Sequence, residues 1–193
     1  PMTLKNRFAV PPMANNYANS DGTLSSRSLA YYRERAKGGF GLITIEATVV
    51  DPHAKGGPRK SCLFNDTQKE ALKQVVDACH AYGAKVSVQL QHAGRESSSS
   101  FTGYPIQAAS PIAASPTKET PQEVSREEIY RIIELFGDAA LRAKEAGADA
   151  VEVHCAHGYF ISGFTSLYAN KRVDEFGGSF ENRMRLPRLI IEN

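Results

Sequence analysis

The sequence predicts an α/β fold in which parallel strands alternate with helices. Four segments rich in apolar or β-branched residues recur, each is followed by a helical pattern or a loop leading into one, and polar residues occupy alternate strand positions. Such alternation indicates βαβ units, and therefore a doubly wound sheet or a (β/α) barrel. Because a complete eight-unit barrel takes about 250 residues, four units in 193 residues would make up only the first half of one.

The elements of the first half follow from periodicity and turn residues. In order, they are strand 7–13, helix 25–39, strand 41–50 and helix 65–83. Leu29, Tyr32 and Ala36 share one face of the first helix, and two glycines follow it as a stop. The second strand is rich in β-branched residues. The second helix has apolar residues at helical spacing, and Gly83 is its expected C-cap.

The second half contains a long segment between its first strand and its helix. In order, the elements are strand 84–90, a Ser/Pro-rich segment 91–124, helix 125–147, strand 149–154 and a helix-like tail from residue 181. Loops of that length are mostly functional or disordered. Ser125 forms a predicted capping box with Glu128, and Gly147 ends the helix. Pro187 in the tail would cost about 3 kcal/mol unless it lies in the first turn of a helix.

The strands combine an apolar face with a polar face. The polar positions are Thr44, Glu46, Ser87, Gln89, Gln91, Glu152 and His154. A parallel sheet covered on both sides normally reads as continuous apolar residues, and each buried unpaired polar group costs about 1–3 kcal/mol. We therefore expect a satisfied internal network or a polar ligand. Gln89 and His154 end their strands, at the sheet edge where such folds place active sites, and segment 91–124 leaves from that edge.

Composition excludes several classes of protein. The 23 Lys and Arg residues nearly balance the 21 Asp and Glu residues, and the net charge of +2 is not gathered into a basic stripe, so we expect no nucleic-acid partner. No apolar run approaches the roughly 20 residues that span a bilayer, and the N-terminal residues lack a signal-peptide pattern. We therefore expect a cytoplasmic protein without a membrane partner.

Common catalytic and cofactor motifs are also missing. Cys62, Cys79 and Cys155 are far apart and form no C-x-x-C pair, which favours reduced thiols over a disulfide framework or a thiolate metal site. No G-x-G-x-x-G follows a strand, and neither a Walker lysine pattern nor a G-x-S-x-G elbow occurs. Nucleotide-binding and hydrolase interpretations therefore have no support.

The stretch DAVEVHCAHGYF, residues 149–160, begins as a strand and ends in hydrogen-bonding side chains. His154 and His157 form a metal pair on one interpretation, but a catalytic zinc site needs three protein ligands. On a second interpretation the two histidines are hydrogen-bonded within the core, and Tyr159 is a packing residue at a helix start. On the third, all three side chains form an active site. Spacing alone does not choose among these.

Six segments together resemble the FMN-dependent ene-reductases of the old yellow enzyme family. They are MTLKNRFAVPPM, YYRERA, GLITIEATVV, VSVQLQHAGR, AGADAVEVHCAHGYF and NKRVDEFGGSFENR, and they are distributed along nearly the whole chain in the family's order. The resemblance implies a (β/α)8 barrel of the TIM type. Residues 1–193 would then be a single, incomplete domain that holds the first four βα units.

The resemblance also implies site residues, and no metal among them. The implied flavin contacts are Pro11, Pro12, Met13 and Ala14 through their backbone, Ala47 from the second strand, and Gln89 at the pyrimidine edge. His154 and His157 would hold the carbonyl or carboxylate oxygen of the substrate, and Tyr159 would donate a proton. Ala14 departs from the Thr or Cys of many relatives at its position.

The implied activity is reduction of the C=C bond of an α,β-unsaturated carbonyl or carboxylic compound, with FMN as cofactor and NADH or NADPH as electron donor. The implied partners are a small-molecule substrate and either a second copy or the other half-barrel, which in relatives supplies an arginine and the phosphate loops for the flavin. An iron–sulfur cluster and FAD would belong to a longer parent protein. The alternative is a non-catalytic half-barrel that associates with a partner chain and does not retain FMN.

Overall fold

A computed structural model describes residues 2–193, which divide into two compact units. The first unit comprises the described residues up to Val49, together with Arg59–Leu90 and Asp138–Glu152. The second unit comprises Val50–Pro58, Gln91–Gly137 and Val153–Asn193. Among residues 2–193, none of the helices is long and apolar enough to cross a membrane.

The secondary structure consists of short strands and seven α-helices within the described residues. The strands are β1 (Ala9–Val10), β2 (Leu42–Val49), β3 (Lys85–Gln91), β4 (Gln107–Ala108), β5 (Gln122–Glu123) and β6 (Ala150–Val153). The helices are α1 (Ser26–Lys37), α2 (Asp66–His80), α3 (Ser99–Thr102), α4 (Arg126–Glu145), α5 (Phe160–Thr165), α6 (Phe180–Arg183) and α7 (Arg185–Glu192). Short 3₁₀ helices cover Pro52–Ala54 and Gly94–Glu96.

The first unit contains almost all of a four-stranded parallel sheet with the order β1-β2-β3-β6. The register pairs Ala9 with Leu42 and Val10 with Ile43. Strand order therefore follows chain order without a reversal. A doubly wound sheet reverses its order at a switch point, whereas a (β/α) barrel adds its strands in sequence. The observed order favours the barrel.

Both faces of strand β2 are buried. On β2, Ile43 and Ile45 are fully buried, but so are Glu46 and, almost completely, Thr44. Helices α1 and α2 pack against each other. The side chain of Ser25 caps α1 by accepting the N–H of Ser28, as a helix N-cap should. The predicted polar face is thus present, and its residues are buried except for Glu152 on β6, which is exposed.

The first strand and the second helix are shorter than predicted. Strand 7–13 was expected, but only Ala9–Val10 pair, because Pro11 and Pro12 have no N–H to donate to a ladder. Helix α2 ends at His80 rather than at the expected cap, and one more turn closes at Gly83, whose φ of +70° suits glycine.

The long segment 91–124 is folded in the second unit rather than irregular throughout. Strands β4 and β5 form a small parallel pair that joins the middle of the segment to its end. The side chains of Ser98 and Ser99 both donate to Glu119, at 2.8 and 2.5 Å, and so tie α3 to the later part of the segment. The expectation of a long irregular loop was therefore wrong in part, because these pairings join residues about 20 positions apart.

Helix α4 and the tail agree with their predicted signals, with one difference. The Ser125 hydroxyl accepts the N–H of Glu128 at 3.1 Å, as the capping box predicted, and Gly147 follows the helix with φ +90°. The tail forms two helices, α6 and α7, instead of one. Pro187 is the third residue of α7, so it lies in the first turn and removes no helical hydrogen bond.

Asp149, just before β6, binds three groups of the first unit. Its carboxylate accepts hydrogen bonds from His80 Nε2 at 2.7 Å, Lys85 Nζ at 2.7 Å and the Val86 N–H at 2.9 Å. Burial alone would raise the pKa of Asp149, but the hydrogen bonds from Lys85, Val86 and His80 hold that pKa below its ordinary value. The ionised carboxylate therefore stabilises the folded state.

Replacing Asp149 by Asn is expected to lower the free energy of unfolding at pH 7 by about 1–3 kcal/mol, because hydrogen bonds to a charged group are lost. The folded pKa is lowered, so this contribution is complete above the ordinary Asp value near 4 and disappears as pH falls through the folded pKa. Urea unfolding between pH 7 and pH 2 should show the gap from wild type narrowing in acid. Asp77→Asn, which removes an exposed pair with Lys73, should cost under about 1 kcal/mol.

Candidate active site

The second unit brings together the three side chains of the HCAHGYF stretch. The ring centroid of His154 lies 5.2 Å from that of His157 and 5.0 Å from that of Tyr159. Both contacts are edge-on, with interplanar angles of 89° and 71°. The three polar groups therefore form one cluster, as the active-site interpretation requires.

The protonation pattern of His154 follows from its backbone contact. Its Nδ1 accepts the N–H of Ala156 at 3.3 Å, and a backbone N–H can only donate. In the neutral ring the hydrogen must then be on Nε2, which makes this nitrogen the donor. His154 is 8% exposed, so its ring is held within the fold while the ring of His157 is exposed.

The turn after His154 has unusual backbone geometry. His157 has φ +60° and Gly158 has φ +78°, so two consecutive residues are left-handed. For a residue with a side chain this conformation is uncommon and costs about 1–2 kcal/mol. The turn is held by the Gly158 N–H, which donates to Ser162 Oγ at 2.9 Å. Tyr159 follows as the N-cap residue of α5.

The segment His92–Arg95 supports this turn from within the second unit. The Phe160 N–H donates to the His92 carbonyl at 3.2 Å, and the two rings stack with centroids 4.2 Å apart. A Cβ on Gly94 would lie 2.7 Å from the Cα and N of Phe160, so only glycine fits there. Arg95 Nε donates to the Gly158 carbonyl at 3.4 Å. Sequence reasoning assigned no role to these residues.

His92 is a structural histidine. Burial lowers its pKa to about 4, although the nearby charge of Asp51 opposes this. The ring is therefore neutral at physiological pH, and its Nδ1 accepts the Gly94 N–H at 3.0 Å. A neutral ring is what allows it to stack under Phe160 without a buried charge.

A metal interpretation gains little from the geometry. Within residues 2–193, the group of side chains close enough to share an ion is Asp51, His53 and Glu128, and it excludes His154 and His157. Arg131 Nη2 already lies 2.6 Å from both Asp51 Oδ2 and Glu128 Oε1. The guanidinium therefore already binds both carboxylates, in the place that an added cation would need.

The residues assigned to the flavin lie in the first unit. Pro11–Ala14 follow β1 as an irregular and mostly exposed segment, in which Met13 is 57% exposed. Ala47 is half-buried near the end of β2, and Gln89 is 7% exposed near the end of β3. Each of these residues therefore comes at or near the C-terminal end of a strand.

Gln89 has a partner that sequence reasoning did not pair with it. Its Nε2 donates to Glu152 Oε1 on the neighbouring strand β6 at 2.5 Å. A carboxylate only accepts hydrogen bonds, so it orients the amide with Oε1 turned away as an acceptor and one Nε2 hydrogen left over. Both residues lie on the polar face of their strands, and this shared parity on adjacent strands is the signal that could have paired them.

Sequence comparisons place the chain among flavin oxidoreductases. The sequence profile of the NADH:flavin oxidoreductase / NADH oxidase family matches residues 1–193. The chain is 44% identical over 192 residues to an "NADH oxidase" of Thermoanaerobacter brockii, covering 98% of this chain and 30% of the relative. It is 43% identical over 191 residues to an "NADPH dehydrogenase" of Halalkalibacterium halodurans, covering 98% of this chain and 55% of the relative.

Solved structures agree with the sequence matches. Morphinone reductase superposes with a TM-score of 0.94 at 32% identity, over 99% of this chain and 55% of its own. A morphinone reductase structure in complex with tetrahydroNAD gives a TM-score of 0.94 at 33% identity, over 99% of this chain and 56% of its own. An old yellow enzyme homologue from Zymomonas mobilis gives a TM-score of 0.93 at 32% identity, over 99% of this chain and 56% of its own.

The chain thus spans about half the length of these structures and of the NADPH dehydrogenase. The predicted fold class, an α/β chain with part of a TIM barrel, is confirmed. The profile match over the entire sequence and the structural likeness lead to one assignment. The chain belongs to the NADH:flavin oxidoreductase / NADH oxidase family, which is the family of old yellow enzyme.

Proposed function

We propose that the chain is part of an FMN-dependent oxidoreductase that uses NAD(P)H to reduce the activated C=C bond of an α,β-unsaturated carbonyl or carboxylic compound. The observation that carries this proposal is the cluster of His154, His157 and Tyr159, with ring centroids about 5 Å apart. Relatives named NADH oxidase and NADPH dehydrogenase support the electron donor. We also propose that residues 1–193 are the N-terminal half of the barrel.

The two histidines are proposed to bind the substrate oxygen. Reduction at the β-carbon moves negative charge onto the carbonyl or carboxylate oxygen. N–H donors aimed at that oxygen stabilise the charge as an oxyanion hole does. His154 is suited to this because the Ala156 N–H on Nδ1 leaves its Nε2 as the donor.

Tyr159 is proposed as the proton donor to the α-carbon. A phenol with an ordinary pKa near 10 keeps its proton at neutral pH and can act as a general acid. The left-handed turn at His157 and Gly158 sets Tyr159 at the start of α5, with its ring against that of His154. Substrate oxygen and proton donor would then be held by one short stretch of chain.

The first-unit residues fit a flavin. Gln89 offers an acceptor oxygen and one donor hydrogen, which match the N3–H and a carbonyl of an isoalloxazine ring. Ala14 and Ala47 have small side chains, and the segment Pro11–Ala14 is mostly exposed and so accessible to a ligand. The chemistry that bound FMN supplies is hydride transfer, from NAD(P)H and then to the β-carbon. The protein residues orient and polarise the substrate.

A second candidate function is association without catalysis. Strand β6 is at the edge of the sheet, and Val151 on it is 41% exposed. Exposed strand edges pair readily with other chains. On this proposal the chain joins a second copy or another half-barrel and retains no FMN. Light scattering that shows a flavin-free dimer or complex would favour it.

The absorbance spectrum of the protein after incubation with FMN and desalting separates these candidates. We expect a retained flavin band that is bleached by NADPH under anaerobic conditions and restored by an added enone or enoate. Gln89→Leu should weaken FMN retention, whereas Gln122→Leu, a change at an exposed position in β5, should not. A protein that stays colourless in excess FMN contradicts the oxidoreductase proposal.

A further inference from the structure

Glu46 is a buried acid to which the proposed chemistry assigns no role. It lies on β2 next to Ala47 and is 0% exposed. Its Oε2 accepts the N–H of Asn15 at 2.9 Å. Its own backbone N–H donates to the hydroxyl of Tyr32, a residue of α1 that is 1% exposed. The carboxyl group is therefore buried and faces the segment after β1.

Keeping a carboxyl group at this position is costly for the fold. Burial raises the pKa of Glu46, while hydrogen bonds from the Asn15 and Asn16 N–H groups and the charge of Lys60 oppose this rise. Within the described residues, Glu46 Oε1 has no hydrogen-bond partner. An apolar residue of similar size would avoid that desolvation. A carboxyl group kept here is best explained by what it holds.

What Glu46 holds is the turn directly after the flavin-assigned segment. Asn16 is left-handed, with φ +57°, and Asn15 Oδ1 accepts the Tyr17 N–H at 2.8 Å. The Tyr17 carbonyl in turn accepts the hydroxyl of Ser25, the N-cap of α1. A chain of hydrogen bonds thus runs from β2 through Asn15 to the start of α1.

The segment Pro11–Ala14 has few restraints of its own. It is mostly exposed, and its prolines cannot donate to a strand. It is anchored before Pro11 by the pairing of Val10 with Ile43, and after Ala14 by the bond from Asn15 to Glu46. Its backbone position therefore depends on these two ends.

We propose that Glu46 is a positioning residue for the cofactor, which fixes the backbone of Pro11–Ala14 through the N–H group of Asn15 so that this segment can lie against a flavin ring. The cofactor part rests on the proposed function. The positioning part concerns the protein alone, and it can be measured without FMN.

Hydrogen–deuterium exchange of the peptide covering residues 11–17 tests the positioning part. Glu46→Leu removes both acceptor oxygens at similar volume, and we expect exchange in this peptide at least tenfold faster than in wild type. Glu46→Gln keeps one carbonyl acceptor, so exchange in this peptide should be faster than in wild type and slower than in Glu46→Leu. The glutamine variant provides the test if the leucine variant does not fold. Glu70→Gln, at an exposed acid on α2, should match wild type. Unchanged exchange in both Glu46 variants overturns the inference.

The dissociation constant of FMN, measured by quenching of flavin fluorescence, tests the cofactor part. We expect at least tenfold weaker binding for Glu46→Leu, with a thermal midpoint no lower than that of wild type because a buried carboxyl has been removed. A lower midpoint with an unchanged FMN constant shows a purely structural role and overturns the cofactor part. Wild-type protein that binds no FMN contradicts both the proposed function and the cofactor part of this inference. Hydrogen–deuterium exchange then still decides whether Glu46 holds the segment Pro11–Ala14.

Discussion

Replacing Tyr159 by Phe is expected to slow alkene reduction by about 10²- to 10⁴-fold, the usual contribution of a positioned general acid. Reduction of the flavin by NAD(P)H should keep its wild-type rate, because no proton is transferred to the α-carbon in that half-reaction. The ring can still pack against His154, from which it lies 5.0 Å centroid to centroid, so the site should keep its shape. Stopped-flow absorbance of the FMN-loaded protein measures the two half-reactions separately.

Two comparisons sharpen this expectation. Tyr168→Phe removes a hydroxyl from a ring that is 69% exposed, and it should change neither half-reaction. Replacing Tyr159 should also leave the affinity for the unsaturated substrate nearly unchanged, since we propose that the two histidines, and not Tyr159, bind its oxygen. An equal loss in both half-reactions would show that Tyr159 supports the site as a whole and would contradict its role as proton donor.

Replacing Arg172 by Met is expected to destabilise the second unit by about 1–3 kcal/mol, because the buried guanidinium no longer donates hydrogen bonds to a carboxylate and two carbonyls. Arg172 is 7% exposed, and its Nε and Nη2 bind the carboxylate of Asp174 at 3.0 and 2.5 Å. Its Nη1 donates to the Val124 carbonyl at 2.7 Å and to the Ala109 carbonyl at 3.3 Å. The change would leave a carboxylate and two carbonyls without this donor.

Urea unfolding at constant pH measures this loss. Arg188→Met is the matched control, because its side chain is 61% exposed and its pair with Glu192 spans 4.0 Å; it should cost under about 1 kcal/mol. The hydrogen bond from Arg172 also holds the pKa of Asp174 below its ordinary value. The stability gap between wild type and Arg172→Met should therefore be complete above about pH 4 and shrink in stronger acid. A loss near that of the control would contradict a structural role.

Local signals in the sequence predicted most of the secondary structure. The Ser125–Glu128 capping box, the stop at Gly147 and the β-branched run of β2 all act over a few residues, and each was found where expected. The errors came where two local rules competed. The apolar residues at 7–13 suggested a strand, but the missing N–H groups of Pro11 and Pro12 limited it to Ala9–Val10.

The residues of the candidate site could be named from the sequence, but their arrangement could not. His154, His157 and Tyr159 stood out from spacing and resemblance, whereas three of the contacts that organise the molecule join distant residues. Glu46 reaches Asn15 across 31 positions, Gln89 reaches Glu152 across 63, and Arg172 reaches Val124 across 48. Hydrophobic periodicity indicates on which side of a helix or strand a residue lies, but it does not indicate which distant residue contacts it.

The sequence by itself determined the βα succession, the family and the residue types available for chemistry, because these depend on local spacing and on order along the chain. Only the tertiary structure decided which sheet order forms, which nitrogen of His154 carries the hydrogen, and which amide orientation Glu152 imposes on Gln89. These are pairings between hydrogen-bond donors and acceptors, and such a pairing exists only once folding has brought both groups within about 3 Å.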